Sequence, residues 1–191
     1  MPNQKIRKSD LLELLKKISV AHGDFLLSSG ARSSYYIDCR LTTLNPRGAW
    51  MVGNLMYEMI QTEAVRRGSK LDAVGGLTLG ADPISLSVGM VSYLESPDSP
   101  LNVFTVRKAP KAHGQTKLIE GGFQPGHHVV VVDDVITRGD STLRAIDAVQ
   151  AEGGKVEFVA VLVDRQEGGR QKIEEKGFNV VSLFNKSDLL S

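Results

Sequence analysis

The 191 residues suffice for one domain with a sizeable core, and 41% apolar against 24% charged residues is an ordinary globular balance. A net charge of +1 removes any global pull on nucleic acid, and a single cysteine, Cys39, excludes an internal disulfide or a Cys-rich zinc site. No apolar stretch is long enough for a signal peptide or a membrane span. The expectation is therefore an intact, soluble protein of the reducing cytoplasm, with no nucleic-acid or membrane partner.

Along the chain, Asp10 and Glu13 have capping-box spacing. Leu11, Leu12, Leu14, Leu15 and Ile18 give a helical apolar face, with Gly23 as the stop. Two short extended pieces, 25–27 and 35–37, flank a Ser-Ser-Gly turn. Asn45-Pro46 predicts a helix with Asn as cap and Pro at its first position, running to Arg67 and stopping at Gly68. A strand over 71–76 feeds a Gly-rich loop ending at Ala81, and Asp82-Pro83 opens the next helix.

A strand over 102–107 follows, then a polar, aperiodic stretch, 108–122. Strand 128–133, helix 141–152 and strand 156–163 make a βαβ unit; a short helix at 168–176 and a strand at 179–185 end the chain. Strands alternating with helices predict a single α/β domain with a mostly parallel sheet. Its candidate loops follow strands, at the carboxyl ends where ligands bind in such sheets.

The richest segment is 129–142. Val129, Val130, Val131 and Val132 read as a strand buried on both faces, with Asp133 and Asp134 where it should end. Thr137, Arg138, Gly139, Asp140, Ser141 and Thr142 form a helix-capping loop whose backbone N–H groups suit a phosphate. The carboxylates can accept from sugar hydroxyls or face Mg²⁺ through water. Two adjacent like charges predict that one points inward without a partner. An ordinary strand-to-helix turn is the bland alternative.

Three further features add charge. Arg107, Lys108, Lys111 and His113, broken by Pro110 and Gly114, read either as a solvated loop or as a mobile lid bringing cations to a polyphosphate. The 75–83 loop lacks the Gly-Lys-Ser/Thr of a Walker loop, and is either a plain turn or a diphosphate nest through Leu79 and Gly80. Asp164-Arg165 is either a local ion pair or a guanidinium at the same sheet edge as Asp134. His127-His128 and Cys39 are expected at surface and half-buried positions. Tyr35-Tyr36 are expected to pack amphipathically.

Together these residues resemble a known family. Val129–Thr142 resembles the phosphoribosyl-diphosphate motif of type I phosphoribosyltransferases. The stretch from Phe25 to Asp38, Arg107–Gly114 and Asp164-Arg165-Gln166-Glu167 narrow the resemblance to the orotate phosphoribosyltransferases.

The resemblance implies the type I phosphoribosyltransferase fold, an α/β core over about 46–191 with a hood from about 1–45 and a lid at 108–122. It implies transfer of the phosphoribosyl group from 5-phosphoribosyl 1-diphosphate to orotate in pyrimidine biosynthesis, with Mg²⁺ held mainly by substrate and water. Residues 137–142 would cradle the 5′-phosphate, and Asp133 and Asp134 the ribose hydroxyls, with Asp134 facing C1′. Arg107, Lys108, Lys111 and His113 would neutralise the diphosphate from a neighbouring subunit, which implies a homodimer. Thr137, Arg165, Tyr36 and Ile37 would meet orotate. Two usual family lysines are absent, at Gly80 and Ser28, which predicts weaker substrate affinity or heavier reliance on Mg²⁺. The competing readings are a purine phosphoribosyltransferase and a nucleic-acid-binding regulator that senses the same sugar diphosphate.

Overall fold

The computed structural model describes residues 6–26, 32–109 and 117–191. A six-stranded sheet of order β5-β4-β3-β6-β7-β8 forms the centre, parallel except for the antiparallel β4–β5 pair. A separate antiparallel hairpin, β1 (Val20–Leu26) with β2 (Arg32–Ile37), lies within the segment expected as the hood. The strands are β3 (Ala73–Leu77), β4 (Asn102–Val106), β5 (Ile119–Gly121), β6 (His128–Ile136), β7 (Lys155–Asp164) and β8 (Val180–Asn185).

The helices divide between the two faces. α1 (Lys8–Ser19), α3 (Pro46–Arg67) and α4 (Asp82–Glu95) pack on one, and α5 (Asp140–Ala151) and α6 (Gly169–Glu174) on the other. The Val run serves both. Val130 and Val132 enter the first core, Val129 and Val131 the second, and all four are at most 1% exposed. This is the period-2 alternation of a strand buried on both sides.

The Asn45-Pro46 signal holds. Asn45 Oδ1 accepts from Arg47 N and Gly48 N at 3.0 and 3.1 Å, a cap that contributes about 1 kcal/mol. Gly68 ends α3 in the left-handed region.

Other boundaries move for local reasons. α1 stops at Ser19 rather than Gly23, because Val20 is already extended, and Gly23 falls at a bulge in the β1–β2 pairing. Asp10 makes no capping box; it pairs with Arg7 at 2.6 Å, and the box found is Asn185 with Asp188, opening α7 (Lys186–Leu190). Neither α7 nor the short α2 (Arg40–Thr43) was expected, since four or five residues carry too little periodicity. The 108–122 stretch is not wholly irregular, because Ile119–Gly121 pairs with β4.

The sheet order changes direction between β3 and β6: chain neighbours lie outward from β3 through β4 and from β6 through β7. The crevice at the carboxyl ends of these strands is where a ligand site belongs in such a sheet.

Candidate active site

β6 runs to Ile136, so the acidic pair lies inside the strand rather than after it. The two carboxylates stay close to each other there: a Cβ built on Gly80 would stand 2.4 Å from Asp134 Oδ1 and 3.1 Å from Asp133 Oδ1. Asp133 turns to the α5 side and is buried, with Oδ2 accepting from Ser141 Oγ at 2.9 Å and Thr142 Oγ1 at 2.8 Å. The inward carboxylate therefore has partners, contrary to expectation; they come from the first turn of the following helix. Burial, and next the Asp134 charge, push its carboxyl up to about 7.

Asp134 stays half-buried, its Oδ1 accepting from Val135 N at 2.9 Å. Burial raises it as well, while the Val135 N–H, a hydrogen bond with the Asp133 carboxyl and the Arg40 guanidinium pull it down. Arg40 grips Asp38 bidentately at 2.8 Å and 2.8 Å, so the end of the hood brings a charged pair into the field of Asp134. That Asp38–Arg40 arrangement went unread in the sequence, although a D-x-R beside a strand end was its signal.

Thr137 is half-buried, Arg138 exposed, and Gly139 caps α5 without any side-chain hydrogen bond. Gly139 has φ 79°, and a Cβ there would stand 2.9 Å from the Gly169 carbonyl oxygen, so only glycine fits the turn. The first-turn N–H groups of α5 lack intrahelical acceptors and, with no side-chain cap, suit an anion. Asp140 pairs instead with Lys172 of α6, which lowers its pKa, so its carboxylate braces the loop.

Across the crevice, the β3–α4 loop presents Thr78, Leu79 and Gly80, with the Thr78–Leu79 peptide bond cis. The Gly75-Gly76 pair lies inside β3, so the nest shrinks to 78–81. A Cβ on Gly80 would come within 2.4 Å of Asp134 Oδ1, which leaves no room for a longer side chain in this arrangement. Leu79 is 63% exposed at the tip.

At the end of β4, Arg107 pairs loosely with Glu120 of β5 at 3.7 Å, and the exposed Lys108 offers its carbonyl to Arg144 at 2.7 Å. Lys111, His113 and Ser28 lie outside the described residues.

Asp164 and Arg165 do not pair with each other. Asp164 accepts from Arg170 Nε at 2.7 Å and from Gln166 N at 2.8 Å. Arg165 pairs with Glu167 at 2.9 Å and lies over the Tyr35 ring, 5.6 Å from its centroid. Its N–H donates to Ile136 O at 3.0 Å, so it stands at the sheet edge that carries Asp134. Arg165 is 8% exposed, and among the described residues its buried Nε has no partner. An unpaired buried guanidinium nitrogen is costly and suits an anionic ligand.

Tyr36 is 41% exposed on the hood and Ile37 is buried. Cys39 is fully buried rather than half-buried, and burial raises its thiol well above the usual range. His128 lies far from all this, at the amino end of β6, bonded to Glu157.

The structure thus gathers the acidic pair, the 137–142 loop, the 78–81 loop, Arg107 and Arg165 at one edge. No protein-family model matches the chain. The orotate phosphoribosyltransferase of Aquifex aeolicus is 43% identical over 188 residues, 97% of this chain and 98% of that one. The crystal structure of Mycobacterium tuberculosis orotate phosphoribosyltransferase with Fe(III) dicitrate superposes with a TM-score of 0.81 at 41% identity, covering 95% of this chain and 98% of the other. The same enzyme in complex with 5-phospho-α-D-ribosyl 1-diphosphate superposes at 0.77 with 37% identity, over 96% and 99% of the two chains. On identity and coverage alike, this chain belongs to the orotate phosphoribosyltransferase family.

Proposed function

We propose that this protein transfers the phosphoribosyl group of 5-phosphoribosyl 1-diphosphate to orotate, releasing diphosphate and giving orotidine 5′-monophosphate for pyrimidine synthesis. The observation that carries this reading is Arg165: a buried guanidinium with an unpartnered Nε, at the same edge as Asp134 and the capping-free loop. In this reading the backbone of 137–142 holds the 5′-phosphate. Arg165 takes the orotate carboxylate, aided by Thr137 and the backbone of Tyr36-Ile37.

Asp134 holds the ribose and faces the positive charge that grows at C1′ as the glycosidic C–O bond breaks. Asp133, occupied by Ser141 and Thr142, acts on the sugar chiefly by fixing the start of α5. Arg107, Lys108, Lys111 and His113 stabilise the departing diphosphate. Placement and electrostatics suffice for such a transition state, with no covalent nucleophile.

Mg²⁺ fits the donor set as a passenger of the substrate. Among the described residues no cluster of three or more His, Cys, Asp or Glu could cage a metal, while Asp134 offers a half-buried carboxylate. When bound, Mg²⁺ would neutralise charge on the diphosphate.

The assembly we propose is a homodimer with the lid acting in trans, in the cytoplasm. Leu86, Met90, Tyr93 and Leu94 form an apolar stripe on α4, each 58–63% exposed, the kind of face a second copy covers. No helix among the described residues is long and apolar enough to cross a membrane.

Two experiments test this. Offered the sugar diphosphate with orotate, adenine, hypoxanthine or xanthine in turn, the protein should consume orotate alone; turnover of a purine instead would refute the assignment. Lys111→Ala should cripple turnover, by about 10²-fold or more, while sparing substrate binding. Mixed with Asp134→Ala protein, it should regain activity through hybrid dimers. Well-exchanged hybrids with no activity would reject the lid in trans.

A further inference from the structure

Asp82 opens α4, and both of its carboxylate oxygens are taken by hydroxyls from different parts of the chain. Thr78 Oγ1 donates to Oδ2 at 2.6 Å, and Thr105 Oγ1 to Oδ1 at 2.7 Å. Thr78 begins the loop that carries Leu79 and Gly80. Thr105 lies on β4, two residues before Arg107. Thr78 N also donates to Val106 O at 2.9 Å. One carboxylate therefore ties the β3–α4 loop to the strand from which the lid departs.

We propose that Asp82 is a positioning residue for the diphosphate half of the site. It fixes the backbone of Leu79 and Gly80 relative to Arg107 and Lys108 without itself touching substrate. This rests on the reading that these two segments receive the diphosphate.

The physical case has three parts. A carboxylate in the first turn of a helix is favoured by the helix dipole, so Asp82 is suited to act as a charged acceptor. Hydroxyl-to-carboxylate hydrogen bonds are charge-assisted and short, which suits a rigid clamp. The clamped loop also runs close to the acidic pair, since a Cβ added at Gly80 would stand 2.4 Å from Asp134 Oδ1. A shift away from the acidic pair would withdraw the loop N–H groups from the crevice. Ordering the loop before binding removes that entropic cost from the binding step.

The experiment compares wild type with Asp82→Ala and with Thr105→Val, the latter removing one hydroxyl at nearly constant volume. Steady-state constants for both substrates, diphosphate affinity in the presence of Mg²⁺ and amide exchange at Leu79 and Gly80 are measured for each. Asp82→Ala should raise KM for the sugar diphosphate about tenfold and weaken diphosphate binding in parallel. It should speed exchange at Leu79 and Gly80 and leave KM for orotate unchanged. Thr105→Val should show the same pattern, weaker, and should add little in the Asp82→Ala background.

Equal increases in both KM values, or a lower Tm with unchanged kinetic constants, would overturn the proposal. If diphosphate fails to protect Leu79 and Gly80 in the wild type, the underlying placement of the diphosphate falls, and the inference with it. Protection in the wild type that survives intact in Asp82→Ala would sink the inference alone.

Discussion

At the amino end of the sheet, Glu157 hydrogen-bonds with Ser69 Oγ at 2.6 Å, with His128 Nδ1 at 2.7 Å and with Lys155 at 2.9 Å. At the carboxyl end, Asp134 and Asp133 crowd together, and Arg165 keeps an Nε with no partner among the described residues. The two ends answer the same electrostatic problem in opposite directions. Burial alone would raise Glu157, yet its hydrogen bonds hold it at about 2; burial drives Asp133 up to about 7 despite its hydroxyl partners. One end satisfies its charges and gains stability. The other pairs Arg165 with Glu167 through one nitrogen only and leaves its buried Nε open, at a cost to the free protein, where a ligand can meet it.

The sharpest way to break this contrast is at Arg165. Arg165→Lys should raise KM for orotate by about 10- to 100-fold, since a single ammonium cannot reproduce the guanidinium fork. Thermal stability should hold or rise, because the unpaired nitrogen is gone. Kinetics with unchanged orotate KM would erase the distinction between the two ends.

Glu157→Gln is the converse and smaller change. It should cost about 1–3 kcal/mol of stability at neutral pH and leave both KM values untouched. The sign in pH follows from a lowered pKa: the stabilisation is present above about 4.5 and fades as pH falls towards 2. Denaturant titrations of both proteins across that window would show the gap closing on acidification, and a constant gap would contradict it.

A third contrast sits within the acidic pair. A carboxyl raised from 3.8 to about 7 makes the folded state bind more protons than the unfolded one between those values. Its contribution to stability therefore falls as pH rises through that range. Asp133→Asn can keep its amide oxygen as acceptor for both hydroxyls, which share Oδ2, but loses the acceptor for Asp134 N and cannot ionise, so its Tm relative to wild type should climb from pH 5 to pH 8. A pH-independent difference would mean that the Asp133 charge is not the strained one.

How much of this was readable depends on how far apart the interacting residues lie. The Val129–Val132 run, the Asn45-Pro46 cap and the turn at Gly139 are local signals, and each appears where its spacing placed it. The partners of Asp133 were within reach, because Ser141 and Thr142 follow eight and nine residues later in the first turn of α5. The strand runs three residues past the end that its apolar run predicts, so both carboxylates lie within it rather than in the loop that follows. Asp164 was harder: its guanidinium is Arg170, which also bonds Ser182 of β8, not the adjacent Arg165.

Chain order alone determined the alternation of strand and helix, the doubly buried central strand, the phosphate-suited loop and the family resemblance, because periodicity, caps and motifs operate over a few residues. Only the tertiary structure decided which charges are met and which are left waiting. Asp82 joins Thr78 to Thr105, Arg165 lies over Tyr35, and Gly80 leaves beside Asp134 the space that a Cβ would fill. Electrostatic satisfaction is a property of neighbours in space, and the sheet order that brings β3 beside β6 is fixed by packing both faces at once.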